Sequence, residues 1–137
     1  MLVNFSNHSS ALWSDKQIKT AVSTYGNIVD IAFPMVNPLE ETDSILFMAE
    51  EYAKEIADLG SNKTITVHAM GELTLTFAVV AKLQSMGYTC VASTTERKVT
   101  LLDDNRKEVF FEFVNFREYP KLPFPPNSTL TAETKQF

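Results

Sequence analysis

Apolar positions recur along the chain with two different periods, and the switching between them sets out the elements. Leu2 to Phe5 is a short apolar run that stops at Ser6-Asn7-His8-Ser9-Ser10, as a buried strand entering a loop does. Ser14-Asp15-Lys16-Gln17 has the form of a capping box, with the Ser14 hydroxyl accepting from the Gln17 amide and the Gln17 side chain reaching back. It predicts a helix from Asp15 to Tyr25. Asn27 to Phe33 is a second β-favouring run, closed by Pro34 and Pro38. Ile45, Leu46, Met48, Ala49, Tyr52, Ala53, Ile56 and Leu59 then repeat at three- and four-residue spacing, the stripe of an amphipathic helix from Thr42 to Leu59. Gly60 falls where a left-handed C-cap is needed. Thr64 to Val67 predicts a third strand, His68-Ala69-Met70-Gly71 a loop, Glu72 to Met86 a helix, and Tyr88 to Ala92 a fourth strand.

Strands that alternate with helices at these lengths predict an α/β fold, a Rossmann-like three-layer sandwich on a mainly parallel sheet, in the order β-α-β-α-β-α-β. Lys98 to Leu102 and Glu108 to Val114, joined by the turn-forming Asp103-Asp104-Asn105-Arg106, add a C-terminal β-hairpin and make the sheet mixed. This gives a single domain over residues 1–119. Pro120, Pro123, Pro125 and Pro126 break any regular element, so residues 120–137 read as an extended, Pro-rich tail.

Composition narrows the function classes. The 137 residues suit one core, and a single Cys, Cys90, excludes an intramolecular disulfide and a Cys-based zinc cluster. The formal charge of −5 argues against coating DNA or an anionic membrane, both of which need excess Lys and Arg. That acidity is local, because Glu40 to Asp58 holds seven acids and one Lys, −6, which leaves about +1 for the rest of the chain. Four Gly form neither a G-x-G-x-x-G nor a P-loop pattern. No basic segment followed by a long apolar run opens the sequence, and no stretch nears the roughly 20 apolar residues of a membrane span. A cytoplasmic protein is therefore expected.

In open parallel sheets ligands bind beyond the carboxyl ends of the strands. Both His and the densest hydroxyl clusters fall there: Ser6-Asn7-His8-Ser9-Ser10, His68-Ala69-Met70-Gly71-Glu72 and Ser93-Thr94-Thr95-Glu96-Arg97. Ser6, Asn7, Ser9, Gly71, Glu72, Thr94 and Thr95 are the candidate ligand-binding residues. Thr94 and Thr95 suit phosphate oxygens, Arg97 a bidentate phosphate contact, and His8 and His68 proton transfer near neutral pH. His8 ranks ahead of His68 because its Asn-rich surroundings would fix its tautomer. No metal and no cofactor are expected, since His68 and Glu72 straddle a loop and a helix start rather than sharing a helix face. A Ser-His-Asp hydrolase is not expected either: there is no G-x-S-x-G elbow and no acid obviously placed to orient either His.

Four segments taken together carry a family resemblance. They are Asn4-Phe5-Ser6-Asn7-His8, the capped first helix with Gln17, Thr94-Thr95-Glu96-Arg97, and Phe113-Val114-Asn115-Phe116-Arg117-Glu118-Tyr119. In order over residues 1–119, the chain resembles small CRISPR-associated proteins of the Rossmann-like ring-nuclease group, related to the CARF-like domains that sense cyclic oligoadenylate. The resemblance implies a homodimer that binds this cyclic RNA messenger of type III CRISPR signalling in antiviral defence. Ser6, Asn7, His8, His68, Gly71, Thr95 and Arg97 would surround the ring. It further implies cleavage without metal, by attack of a ribose 2′-hydroxyl on the adjacent phosphorus, with His8, His68 and Arg97 as the catalytic group. A non-catalytic nucleotide-sensing or protein-interaction module is the alternative.

Overall fold

A computed structural model of the protein describes residues 1–60 and 63–122. Five strands form one sheet: β1 (Leu2–Ser6), β2 (Ile28–Ala32), β3 (Thr66–Met70), β4 (Thr89–Leu101) and β5 (Lys107–Glu118), in the spatial order β2-β1-β3-β4-β5. The first four run parallel and β5 returns antiparallel along β4. Helices α1 (Asp15–Tyr25), α2 (Thr42–Leu59) and α3 (Leu73–Ser85) occupy the crossovers, and a 3-10 turn spans Ser10–Leu12. The result is a Rossmann-like three-layer α/β sandwich with a mixed, mainly parallel sheet.

Side-chain alternation on β1 assigns the layers, because all five of its residues are buried but on opposite faces. Val3 and Phe5 join Val67, Ala69 and Cys90 under α2 and α3, where Ile45, Ala49, Ala53, Ile56, Leu75, Val79 and Leu83 complete the larger core. Leu2 and Val91 meet Ala21 of α1 in a smaller cluster edged by Trp13, Tyr25 and Phe116. The thinner α1 layer leaves the far end of that face open to polar residues. Among the described residues no helix is long and apolar enough to cross a membrane.

The structure changes four of the sequence expectations. Gly60 has φ −98°, so it is no left-handed cap; a Cβ there would meet the Ile65 side chain at 2.9 Å, and the small residue is required by close approach. β3 runs on to Met70 because Ser6 of β1 continues the ladder opposite it, so His68 is a strand residue rather than a loop residue. The fourth strand and the first hairpin strand are one 13-residue strand, bent by an irregularity at Thr94/Thr95, so Ser93 to Arg97 lies within β4 and not in a loop. Ser14 caps the Gln17 amide at 3.2 Å, but the Gln17 side chain turns away to Ser93. Of the Pro-rich tail, Pro120 to Leu122 carries no regular structure and residues 123–137 lie outside the described residues.

Candidate functional site

Strand register lines up polar side chains from neighbouring strands. Asn4 sits between Asp30 of β2 and His68 of β3, and Ser93 lies two residues beyond Val91, the partner of His68 on β4. The orientation of the Asn4 amide follows from its neighbours. Its Nδ2 donates to the His8 carbonyl at 2.9 Å and to Asp30 Oδ1 at 2.7 Å, two groups that only accept. Its Oδ1 therefore faces the Ser6 hydroxyl and His68 Nδ1, each at 2.8 Å.

That geometry fixes the His68 tautomer. Nδ1 carries the proton and donates to Asn4, which leaves Nε2 to accept from the Ser93 hydroxyl at 2.7 Å. Ser93 Oγ in turn accepts from Gln17 Nε2 at 3.1 Å. His68 is 2% exposed, and burial pushes its pKa down to about 4, so the ring is neutral at pH 7. Trp13 and Phe116 stand edge-on to it, with ring centroids at 5.2 and 5.6 Å. At the other end Asp30 accepts from the Ser10 amide and hydroxyl at 3.0 and 2.7 Å. Burial alone would raise the Asp30 pKa, but the bonds from Ser10 and Asn4 outweigh it and hold the carboxyl below its usual range.

A cavity of about 720 Å³ opens on this network at the carboxyl ends of β1 and β3, where the order of strand connection reverses. Of the residues singled out in sequence, it gathers Ser6, Asn7, His8, His68, Gly71 and Thr95. Trp13, Ser14, Lys16 and Gln17 close it from α1 and the turn before it, and Phe110 to Phe113 of β5 from the hairpin. Lys16 is its one Lys or Arg among the described residues.

Four candidates do not line it. The Ser9 hydroxyl accepts from the Ala11 amide and caps the 3-10 turn. Glu72 folds onto the start of α3, accepting from the amides of Thr74 and Leu75, bonds that hold its pKa low. Thr94 Oγ1 bridges to the backbone of Asn115. Arg97 stands further out on β4, opposite Phe111. His8 is exposed, and the polar groups near it hold its backbone carbonyl rather than its ring; the tautomer fixed by an Asn is that of His68. Cys90 is buried, and burial pushes its thiol up to about 12, so it is a core residue. Among the described residues no group of three or more His, Cys, Asp or Glu is placed to hold a metal ion.

Sequence reasoning did not single out Asn4, Gln17 and Ser93 as a connected group. One signal was present: Asn4 is the lone amide in the apolar run Leu2 to Phe5, and a buried polar residue in a central strand must have partners.

No curated protein matches the chain. Residues 1–117 match the family described as "Uncharacterized protein MJ1673 family", and the chain belongs to that family.

Proposed function

We propose that this member of the MJ1673 family binds a cyclic oligoadenylate in the cavity beyond β1 and β3, and opens it by metal-independent attack of a ribose 2′-hydroxyl on the neighbouring phosphorus. The observation that carries the reading is the gathering of Ser6, Asn7, His8, His68, Gly71 and Thr95 around one cavity whose walls also hold Trp13, Phe110 and Phe111. Aromatic faces accept adenine by stacking, and hydroxyl and amide groups accept ribose and phosphate. Lys16 supplies positive charge without the basic surface that a long nucleic acid needs. A second copy of the chain joins through the β4–β5 hairpin, one side of which exposes Val99, Leu101, Val109 and Phe111, and the protein works as a cytoplasmic homodimer.

The chemistry rests on positioning. Holding the 2′-hydroxyl in line with phosphorus is worth up to roughly 7–11 kcal/mol in favourable intramolecular reactions. His8, exposed and lining the cavity, is the side chain this reading uses as acid or base, since both His68 nitrogens are engaged within the protein. Arg97, outside the cavity wall, reaches only a ligand that extends along the hairpin.

Incubation with cyclic tetra-adenylate in EDTA tests this. The expected products are linear fragments ending in a 2′,3′-cyclic phosphate, with turnover lost in His8→Ala while binding persists. Ligand recovered bound but intact makes the protein a sensor, the reading favoured by the position of Arg97. Absence of binding removes both.

A further inference from the structure

The bonding pattern Asn4–His68–Ser93 is that of an oriented base beside a hydroxyl, and it is complete without any ligand. We propose that Ser93 is a nucleophile, with His68 as its general base and Gln17 as oxyanion donor, and that the cavity accepts carboxylic esters with a small apolar acyl group. The proposal goes beyond cyclic-nucleotide binding and does not depend on it.

Three features carry it. First, the tautomer is the productive one: Nδ1–H is tied to Asn4 Oδ1 and Nε2 already accepts the Ser93 proton at 2.7 Å. Asn4 is a positioning residue, itself held by Asp30, so the order Asp30, Asn4, His68, Ser93 runs across all four parallel strands. Second, Ser93 and His68 both line the cavity, and Ser93 is only partly buried where His68 is 2% exposed. Third, Gln17 Nε2 lies 3.1 Å from Ser93 Oγ and carries two hydrogens, one of which the serine oxygen uses. The other has no partner among the described residues and can serve an oxygen that develops charge beside the nucleophile, the part a side-chain amide plays in an oxyanion hole. Trp13 and Phe113 give the wall an apolar stretch for the acyl group.

The step balances as acyl transfer. Ser93 Oγ attacks the ester carbonyl carbon as its proton passes to His68 Nε2; the tetrahedral oxyanion faces Gln17. The C–O bond to the alcohol breaks, and His68 returns the proton to the leaving alkoxide. Water then attacks the acyl-serine with His68 again taking and returning a proton, releasing the carboxylic acid and restoring Ser93.

Treatment of the purified full chain with an alkyl fluorophosphonate, without any nucleotide, tests the assignment. Expected is one adduct per chain by intact mass, mapped to Ser93 in the peptide that contains it, and absent in Ser93→Ala. Gln17→Leu should slow its formation about a hundredfold, the lower range for loss of one oxyanion donor, and hydrolysis of p-nitrophenyl acetate should fall in parallel. A folded wild-type protein, checked by circular dichroism, that takes up no phosphonate overturns the proposal, as does an adduct on any other serine. Because no nucleotide is present, failure here is separate from failure to bind cyclic tetra-adenylate.

Discussion

Asn4 shows how one buried amide organises a site. Placed in the centre of the sheet, it cannot face water, so each of its polar atoms needs a protein partner, and it finds the His8 carbonyl, Asp30, Ser6 and His68. The consequence at His68 is a ring held on both nitrogens inside the protein, where burial disfavours its charged form. This makes the stability of the protein depend on pH with a definite sign. Above pH 6.5 His68 is uncharged in both the folded and unfolded states and contributes no slope. Between 6.5 and the folded-state value of about 4, only the unfolded chain takes up the proton, so stability falls as pH falls. The loss amounts to about 3 kcal/mol across that window and levels off below it, where both states are protonated. His68→Gln lacks this titration. Urea denaturation at a series of pH values should show the wild-type slope between 6.5 and 4 flattened in the variant; parallel curves would place the titrating group elsewhere.

At the scale of elements, the site depends on how closely β3 and its exit loop approach their neighbours. Gly71, at the end of β3, lies against the ring of Phe33 so closely that an added Cβ would come within 2.5 Å of it, and Phe33 is itself packed on Phe5 with ring centroids 4.7 Å apart. Gly71→Ala should therefore push the Phe33 ring or the loop, destabilising by about 1–3 kcal/mol, the usual range for overpacking. A thermal melt indistinguishable from wild type would show that the ring has room to move. The helices themselves were plain in the sequence: the Ser14 cap and the periodic apolar stripe mark α1 and α2 at the ends they have in the structure, because capping and amphipathicity are local properties. The strands around the site were less legible. β3 extends through His68 only because β1 offers a partner as far as Ser6, and β4 runs through Thr94 and Thr95 because β5 pairs with it from Val91 to Leu101. Neither fact resides in the strand's own residues. For the same reason His8, His68 and Thr95 could be placed at one sheet edge from sequence, whereas the bond from Gln17 to Ser93 joins residues 76 apart and needed the packing of α1 on the sheet.

The molecule as a whole is lopsided. Pairing between β3 and β4 ends at Val91, and from Ala92 onward β4 has β5 as its only strand neighbour among the described residues, a two-stranded arm of roughly 33 Å at the usual strand rise. Two strands alone are marginal in water, so an arm of this length needs cover. Register shows which face needs it: Arg97, Val99 and Leu101 share a side with Phe111, Val109 and, at the tip, Lys107, and Val99, Leu101, Val109 and Phe111 are exposed by 46, 72, 43 and 67%. The same side carries Thr95 and Phe113 into the cavity wall, so whatever covers the arm also borders the site. A second copy of the chain suits this best, since a two-fold axis would set one apolar stripe against an identical one and bring two cavities together. Sedimentation velocity on the wild-type chain should then give the mass of a dimer. Val99→Lys and Val109→Lys, placed outside the cavity and still compatible with a strand, should shift it to monomer while the circular dichroism spectrum is unchanged. A wild-type monomer at tens of micromolar would remove the homodimer and leave each cavity to bind alone.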